Sequence, residues 1–145
     1  MKNTLRHLCQ SIVNRLETHK AISFAVRLRH VIVDEVQDML TPVVLTDEDL
    51  RHKTLHKLGA HEDVLKESGF SDSDQYRSAL AVVRSQFGAN ELGGLYYQKA
   101  PKDVAALVAS YLMRSSHIDD VYEMDEEIIA RVVDVMKTFD PSTVH

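Results

Sequence analysis

The sequence predicts an all-α protein, a compact helical bundle forming a single domain over residues 1–145. Three observations carry this expectation. Apolar side chains recur at steps of three and four along most of the chain, the period of a helix with one buried face. Only 5 Gly and 3 Pro occur in 145 residues, and most of them stand where the apolar series break off. With 44% apolar and 27% charged residues but no Trp and 6% aromatics, the composition speaks against a disordered chain, a collagen-like repeat or a Gly-punctuated sheet protein.

Leu5, Leu8, Cys9, Ile12, Val13 and Leu16 form the first stripe, and Asn3 is expected to cap a helix running over about residues 4–19. Leu28, Ile32, Val33, Val36 and Leu40 form the second, after Ser23 and ahead of Pro42, which cannot continue a helix without losing a hydrogen bond. Thr46 followed by Asp49 resembles a capping box and opens a third helix over 47–58, closed by Gly59. A short helical turn is expected at 61–67, then a helix from Ser71 carrying Ala79, Leu80, Val83 and Phe87 to Gly88. The segment 89–100, with Gly93-Gly94 and Tyr96-Tyr97, reads as a loop with a short helix. Pro101 suits the first position of a helix with Val104, Leu107, Val108, Tyr111 and Leu112 on its stripe, ending near Ser115. Asp125 is the expected cap of the last helix. Glu126 and Glu127 suit the positive pole of its dipole, and Pro141 lies beyond its end.

The chain also matches itself at an offset of 96. Leu8, Ile12, Leu16 and Ile22 fall on Val104, Val108, Leu112 and Ile118, and the phase holds through Ile32, Val33, Val36, Asp38 and Leu40, which fall on Ile128, Ile129, Val132, Asp134 and Met136. Two readings stay open. Either a helix-loop-helix module is repeated over 4–42 and 100–139 with a helical insert at 46–99, or two helical stripes coincide. The run SHIDDVYEMDEEIIARVVDVM at 116–136, together with the N-terminal helix pair, resembles a bacterial family of unknown function whose short helical members carry one or two such modules. That resemblance covers about half the chain. It implies a helical fold and brings no catalytic residues.

Charge is unevenly spread. Residues 1–30 carry six basic side chains against Glu17 alone, so that segment is +5 and the remaining 115 residues are −10 within a formal total of −5. Eight acids lie between Asp119 and Asp140. Such polarity either steers a charged partner or lets the two ends of one chain face each other. Cys9 is the only cysteine, which excludes an intramolecular disulfide and fits a reducing compartment. The longest apolar run is Val104 to Ala109, far short of the roughly twenty residues of a membrane span. The basic start lacks the continuous apolar core of a secretion signal, so cytoplasmic residence is expected.

Two strings invite a chemical reading. VIVDEVQDML at 31–40 is similar to the acidic Mg²⁺-binding motif of superfamily-one helicases, but no GxxxxGK[ST] phosphate loop accompanies it, and the run continues a helical stripe. Asp49, His52 and His56 fall on one helix face, with His61 beyond Gly59 as a fourth group, which is a conceivable Zn²⁺ or Fe²⁺ ligand set. Arg51, Lys53 and Lys57 beside them oppose a cation, and a solvated face explains the histidines more simply. His117 beside a turn reads as a cap or surface group. No GxSxG elbow occurs, and no cofactor or small-molecule substrate is implied.

The expectation is therefore a non-enzymatic cytoplasmic bacterial protein that works by contact, as a scaffold or adaptor binding another protein or its own copy. Three surfaces are proposed for that contact: the basic residues Arg6, Arg15, Arg27 and Arg29; the acidic connector with Asp119, Asp120 and Glu123; and Leu95, Tyr96 and Tyr97 as an aromatic anchor. A nucleic-acid module using the basic N-terminal helices is the first alternative, opposed by scattered arginines and an acidic remainder. A metal-dependent enzyme is the second.

Overall fold

Each apolar stripe of the sequence winds into a helix in the computed structural model, which describes residues 2–57 and 74–143. Helices α1 (Lys2–Thr18) and α2 (Arg29–Leu40) are joined through β1 (Ile22–Ser23) and a 3-10 turn at Val26–Leu28. After β2 (Val44–Leu45) come α3 (Asp47–Lys57) and α4 (Asp74–Ser85). A 3-10 turn at Gly88–Asn90 leads into β3 (Glu91–Leu92) and β4 (Leu95–Tyr97). The chain ends with α5 (Pro101–Arg114), β5 (Asp120–Val121), α6 (Asp125–Thr138) and a 3-10 turn at Pro141–Thr143.

Four helices close a ring. α1 packs on α2 and α6, and α5 packs on α6 and α2. Leu8, Ile12 and Leu16 of α1 meet Ile32, Val36 and Leu40 of α2, Val104, Val108 and Leu112 of α5, and Ile128, Val132 and Met136 of α6 in one buried cluster. Each side chain of this size that leaves water contributes roughly 1.5–3 kcal/mol, which is what offsets the entropy of ordering the helices. α3 and α4 pack on each other outside the ring, around a smaller core of Leu50, Val83, Phe87 and Tyr96.

The fold is mainly helical rather than all-α. Among the described residues there are five short strands in two sheets. β1 pairs antiparallel with β5, Ile22 opposite Val121 and Ser23 opposite Asp120, so the two interhelical connectors are bonded to each other. β2, β4 and β3 form the second sheet, with Val44 opposite Tyr97 and Leu92 opposite Leu95. Residues 91–97 are thus a hairpin where a loop with a short helix is expected, and the helical part of the segment is the 3-10 turn that ends at Asn90. Gly93 and Gly94 both take positive φ, 55° and 75°, the conformation of a two-residue turn whose twist matches the strands. A side chain on Gly93 would meet the Met136 carbonyl oxygen at 2.2 Å, so the turn lies directly on the end of α6.

Helix ends differ from expectation in detail. α1 begins at Lys2, ahead of Asn3, and α6 is preceded by Met124 as its cap, whose N–H donates to Glu127 Oε1 at 3.2 Å. Asp125 is the first helical residue. The Thr46–Asp49 capping box is present: Thr46 N donates to Asp49 Oδ2 at 2.9 Å and Asp49 N to Thr46 Oγ1 at 3.2 Å. Gly59, the turn at 61–67 and His61 lie outside the described residues. At the offset of 96, Thr18 and Arg29 fall on Arg114 and Asp125, so the end of α1 and the start of α2 fall on the end of α5 and the start of α6.

Candidate interaction surfaces

β4 alternates by strand geometry. Leu95 and Tyr97 face the main core and Tyr96 the smaller one, with exposures of 0%, 0% and 2%. These three residues therefore do not form a surface anchor. A central strand covered on both faces reads as a continuous apolar run, and LYY is that run. Tyr96 donates its hydroxyl to Asp47 Oδ1 at 2.7 Å and lies 5.5 Å, centroid to centroid, from Phe87. The Tyr97 hydroxyl is buried with no hydrogen-bond partner.

Three of the four candidate arginines are engaged within the chain. Arg6 donates to Asp34 Oδ1 at 2.5 Å and to Gln37 Oε1 at 3.1 Å, tying α1 to α2. Arg15 donates to Asp134 Oδ2 at 2.6 Å, tying α1 to α6. Arg29 donates to Glu17 and Asn14 and lies over the Phe24 ring, 5.4 Å from its centroid. The basic start thus faces acids from the rest of the chain. Half-exposed pairs of this kind are worth no more than about 1 kcal/mol each, and they orient helices more than they hold them together. Arg27 is exposed.

On the acidic side, Glu123 is held by Arg131 through two hydrogen bonds of 2.7 Å. That guanidinium keeps the Glu123 carboxyl below the usual carboxylate range. Asp119 and Asp120 have exposed side chains, while the Asp119 N–H donates to the Ser23 carbonyl across the paired connectors.

The proposed metal ligands do not converge. Asp49 accepts hydrogen bonds from Thr46, His52 Nε2 lies 3.8 Å from Glu48 Oε1, and His56 is exposed. Among the described residues, no three His, Cys, Asp or Glu side chains gather closely enough to share an ion.

A polar cluster that the sequence scattered is assembled between α2 and the connector after α5. Glu35 Oε1 accepts the Tyr111 hydroxyl at 3.0 Å and lies 2.6 Å from His117 Nδ1. Ser115 Oγ donates to the Tyr111 oxygen at 3.4 Å and accepts the His117 N–H at 3.2 Å. Burial pushes the Tyr111 phenol up to about 12, with Glu35 adding to the shift, so the hydroxyl is a donor throughout the physiological range. Glu35 stood in the acidic string and His117 in the connector; nothing in their spacing placed them together.

The connector end of the ring also exposes apolar side chains that the sequence reading did not single out. Val26 is 77% exposed, Tyr122 62% and Met124 68%. All three lie off the helical stripes, which was their only signal. The Tyr122 hydroxyl is 3.2 Å from Ser23 Oγ and donates to Asp120 Oδ2 at 3.4 Å, so the ring is tethered at its tip. Among the described residues, no helix is long and apolar enough to cross a membrane.

These features define a mainly helical protein with a ring of four helices and an apolar, acid-flanked connector end. No family model, curated protein or solved structure matches the chain.

Proposed function

We propose that this chain is a bacterial cytoplasmic contact module, a scaffold or adaptor without catalytic activity, that binds a protein partner through its connector end. The observation that carries this reading is the exposure of Val26, Tyr122 and Met124 on two connectors that are hydrogen-bonded to each other. Tyr and Met are enriched at protein interfaces because they bring large apolar area at small entropic cost, and a rigid base lowers that cost further. Arg27, Asp119 and Asp120 remain exposed on the same connectors and would supply the polar rim. The two helix–strand–helix halves are, in this reading, copies of one module whose paired connectors create the surface.

The nucleic-acid alternative is less well supported, because Arg6, Arg15 and Arg29 already have acidic or polar partners in the chain. Phosphate binding needs cations free to release counterions. The metal-enzyme alternative has no converging ligand set among the described residues to support it.

The test is affinity capture from the native host with the wild-type chain and with Tyr122→Ala and Met124→Asp variants, followed by mass spectrometry. A partner captured by the wild type and lost from both folded variants supports the reading. Identical captures from all three would overturn it, and a low-salt shift of labelled DNA or RNA that reverses as salt rises would favour the alternative.

A further inference from the structure

A second face of the ring, distinct from the connector end, is an open apolar groove of about 450 Å³ between α5 and α6. Ile129, Ala130 and Val133 form its floor, with Glu126 and Lys137 of α6 towards its two ends and Lys102 of α5 and Asp134 of α6 also lining it. We propose that this face is a homodimer interface in which α6 packs antiparallel on α6 of a second copy.

The argument is one of self-complementarity. At 100° per residue, positions 126, 130, 133 and 137 stay within a stripe about 60° wide, and Glu126 and Lys137 lie about 16 Å apart along the helix. A twofold axis lying between the two copies, perpendicular to α6 at the level midway between Ala130 and Val133, exchanges residue n with 263 minus n. Glu126 then falls opposite the second copy's Lys137, and Ala130 opposite its Val133. Both charged pairs form at once, because an isologous contact repeats every interaction. Ala130 at the centre lets the helices approach closely, and the antiparallel arrangement sets each helix's positive pole beside the other's negative pole.

The charges are free for this role. Among the described residues, neither Glu126 nor Lys137 forms an ion pair or a side-chain hydrogen bond, whereas neighbouring Asp134 is already held by Arg15. Glu126 is explained in part by the helix dipole, but the dipole does not account for the apolar strip between it and Lys137, where Ala130 is exposed and Ile129 and Val133 are half-buried. A contact built mainly on one helix from each copy is small, so the dimer is expected to be weak, with dissociation on the order of tens of micromolar. This inference is independent of the connector-end reading, since neither Tyr122 nor Met124 lines the groove.

Sedimentation velocity over a concentration series from about 1 to 300 µM tests it, with circular dichroism confirming that each variant is folded. Wild type is expected to dimerise within that range. Glu126→Lys and Lys137→Glu, each placing like charges opposite one another twice, should weaken association about tenfold or more. An equimolar mixture of the two variants should recover it to within about threefold, because every cross-chain pair is again of opposite sign. Val133→Glu should abolish it. A wild type that remains monomeric throughout, or a dimer whose constant is unmoved by the two charge variants and not recovered by their mixture, would overturn the proposal while leaving partner capture by the connector end untouched.

Discussion

Glu35 Oε1 and His117 Nδ1 lie 2.6 Å apart although 82 residues separate them in the chain. The contact ties the middle of α2 to the connector that leaves α5, and the same carboxylate oxygen accepts the Tyr111 hydroxyl. Glu35 is therefore the shared acceptor of a four-residue network rather than a solvated helix acid.

Removing that acceptor leaves two half-buried donors without it. Glu35→Ala is expected to cost about 1–2 kcal/mol in urea denaturation. In a double-mutant cycle with His117→Ala the coupling should be about 0.5–1 kcal/mol, and a coupling indistinguishable from zero would show that the pair is not formed.

The Tyr97 hydroxyl makes the opposite prediction. It is buried in the main core with no partner, and burial raises its pKa. Tyr97→Phe keeps the ring and removes an unsatisfied polar atom, so it should be neutral or stabilising by up to about 1 kcal/mol. A loss of more than about 1 kcal/mol in thermal or urea denaturation would mean that the hydroxyl is bonded.

Cys9 sits at 0% exposure in α1, and burial pushes its thiol from 9.0 up to about 12. The unfolded chain then ionises before the folded one, so the folded state binds more protons between pH 9 and about 12. Stability should fall across that window and not below it. Cys9→Ala should flatten that part of the profile. At pH 8 the native thiol should react with an aromatic disulfide reagent only as fast as the protein opens, which stopped-flow comparison with the unfolded chain would measure.

Two backbone positions should respond in opposite senses. Lys20 takes φ 59° just beyond α1, where the Ala21 N–H donates to the Leu16 carbonyl and the Lys20 N–H to the Glu17 carbonyl. This is the left-handed helix cap in which glycine is usual, so Lys20→Gly should stabilise by about 0.5–1 kcal/mol. Gly93→Ala would place a methyl 2.2 Å from the Met136 carbonyl oxygen at a φ of 55°, and should cost about 2 kcal/mol or more. Equilibrium unfolding of the two variants measures both.

Much of the secondary structure was legible because helices are local. The stripes through Ile12, Val36, Val108 and Val132 repeat within a few residues, and Pro42 and Pro101 mark helix limits by removing a donor. The hairpin at 91–97 has one local signal, Gly93-Gly94 between Leu92 and Leu95 as a two-residue turn sequence, but two- and three-residue strands are too short for alternation to show. Tyr96 and Tyr97 read as an exposed anchor for the same reason. Adjacent strand residues point to opposite faces: the main core buries Tyr97, and a second core, under α3 and α4, buries Tyr96.

By itself the amino-acid order determined the four long helices of the ring, the Thr46–Asp49 cap and the scarcity of catalytic motifs. Those depend on spacing within one or two turns, where periodicity and hydrogen-bonding geometry act directly. Only the tertiary structure decided that the connectors pair as β1 and β5, that Arg15 meets Asp134, that Glu35 meets His117, and that Tyr122 and Met124 stay outside. Such relations hold between residues far apart in the chain, and packing four helices into a ring selects them from many pairings that local pattern leaves equal.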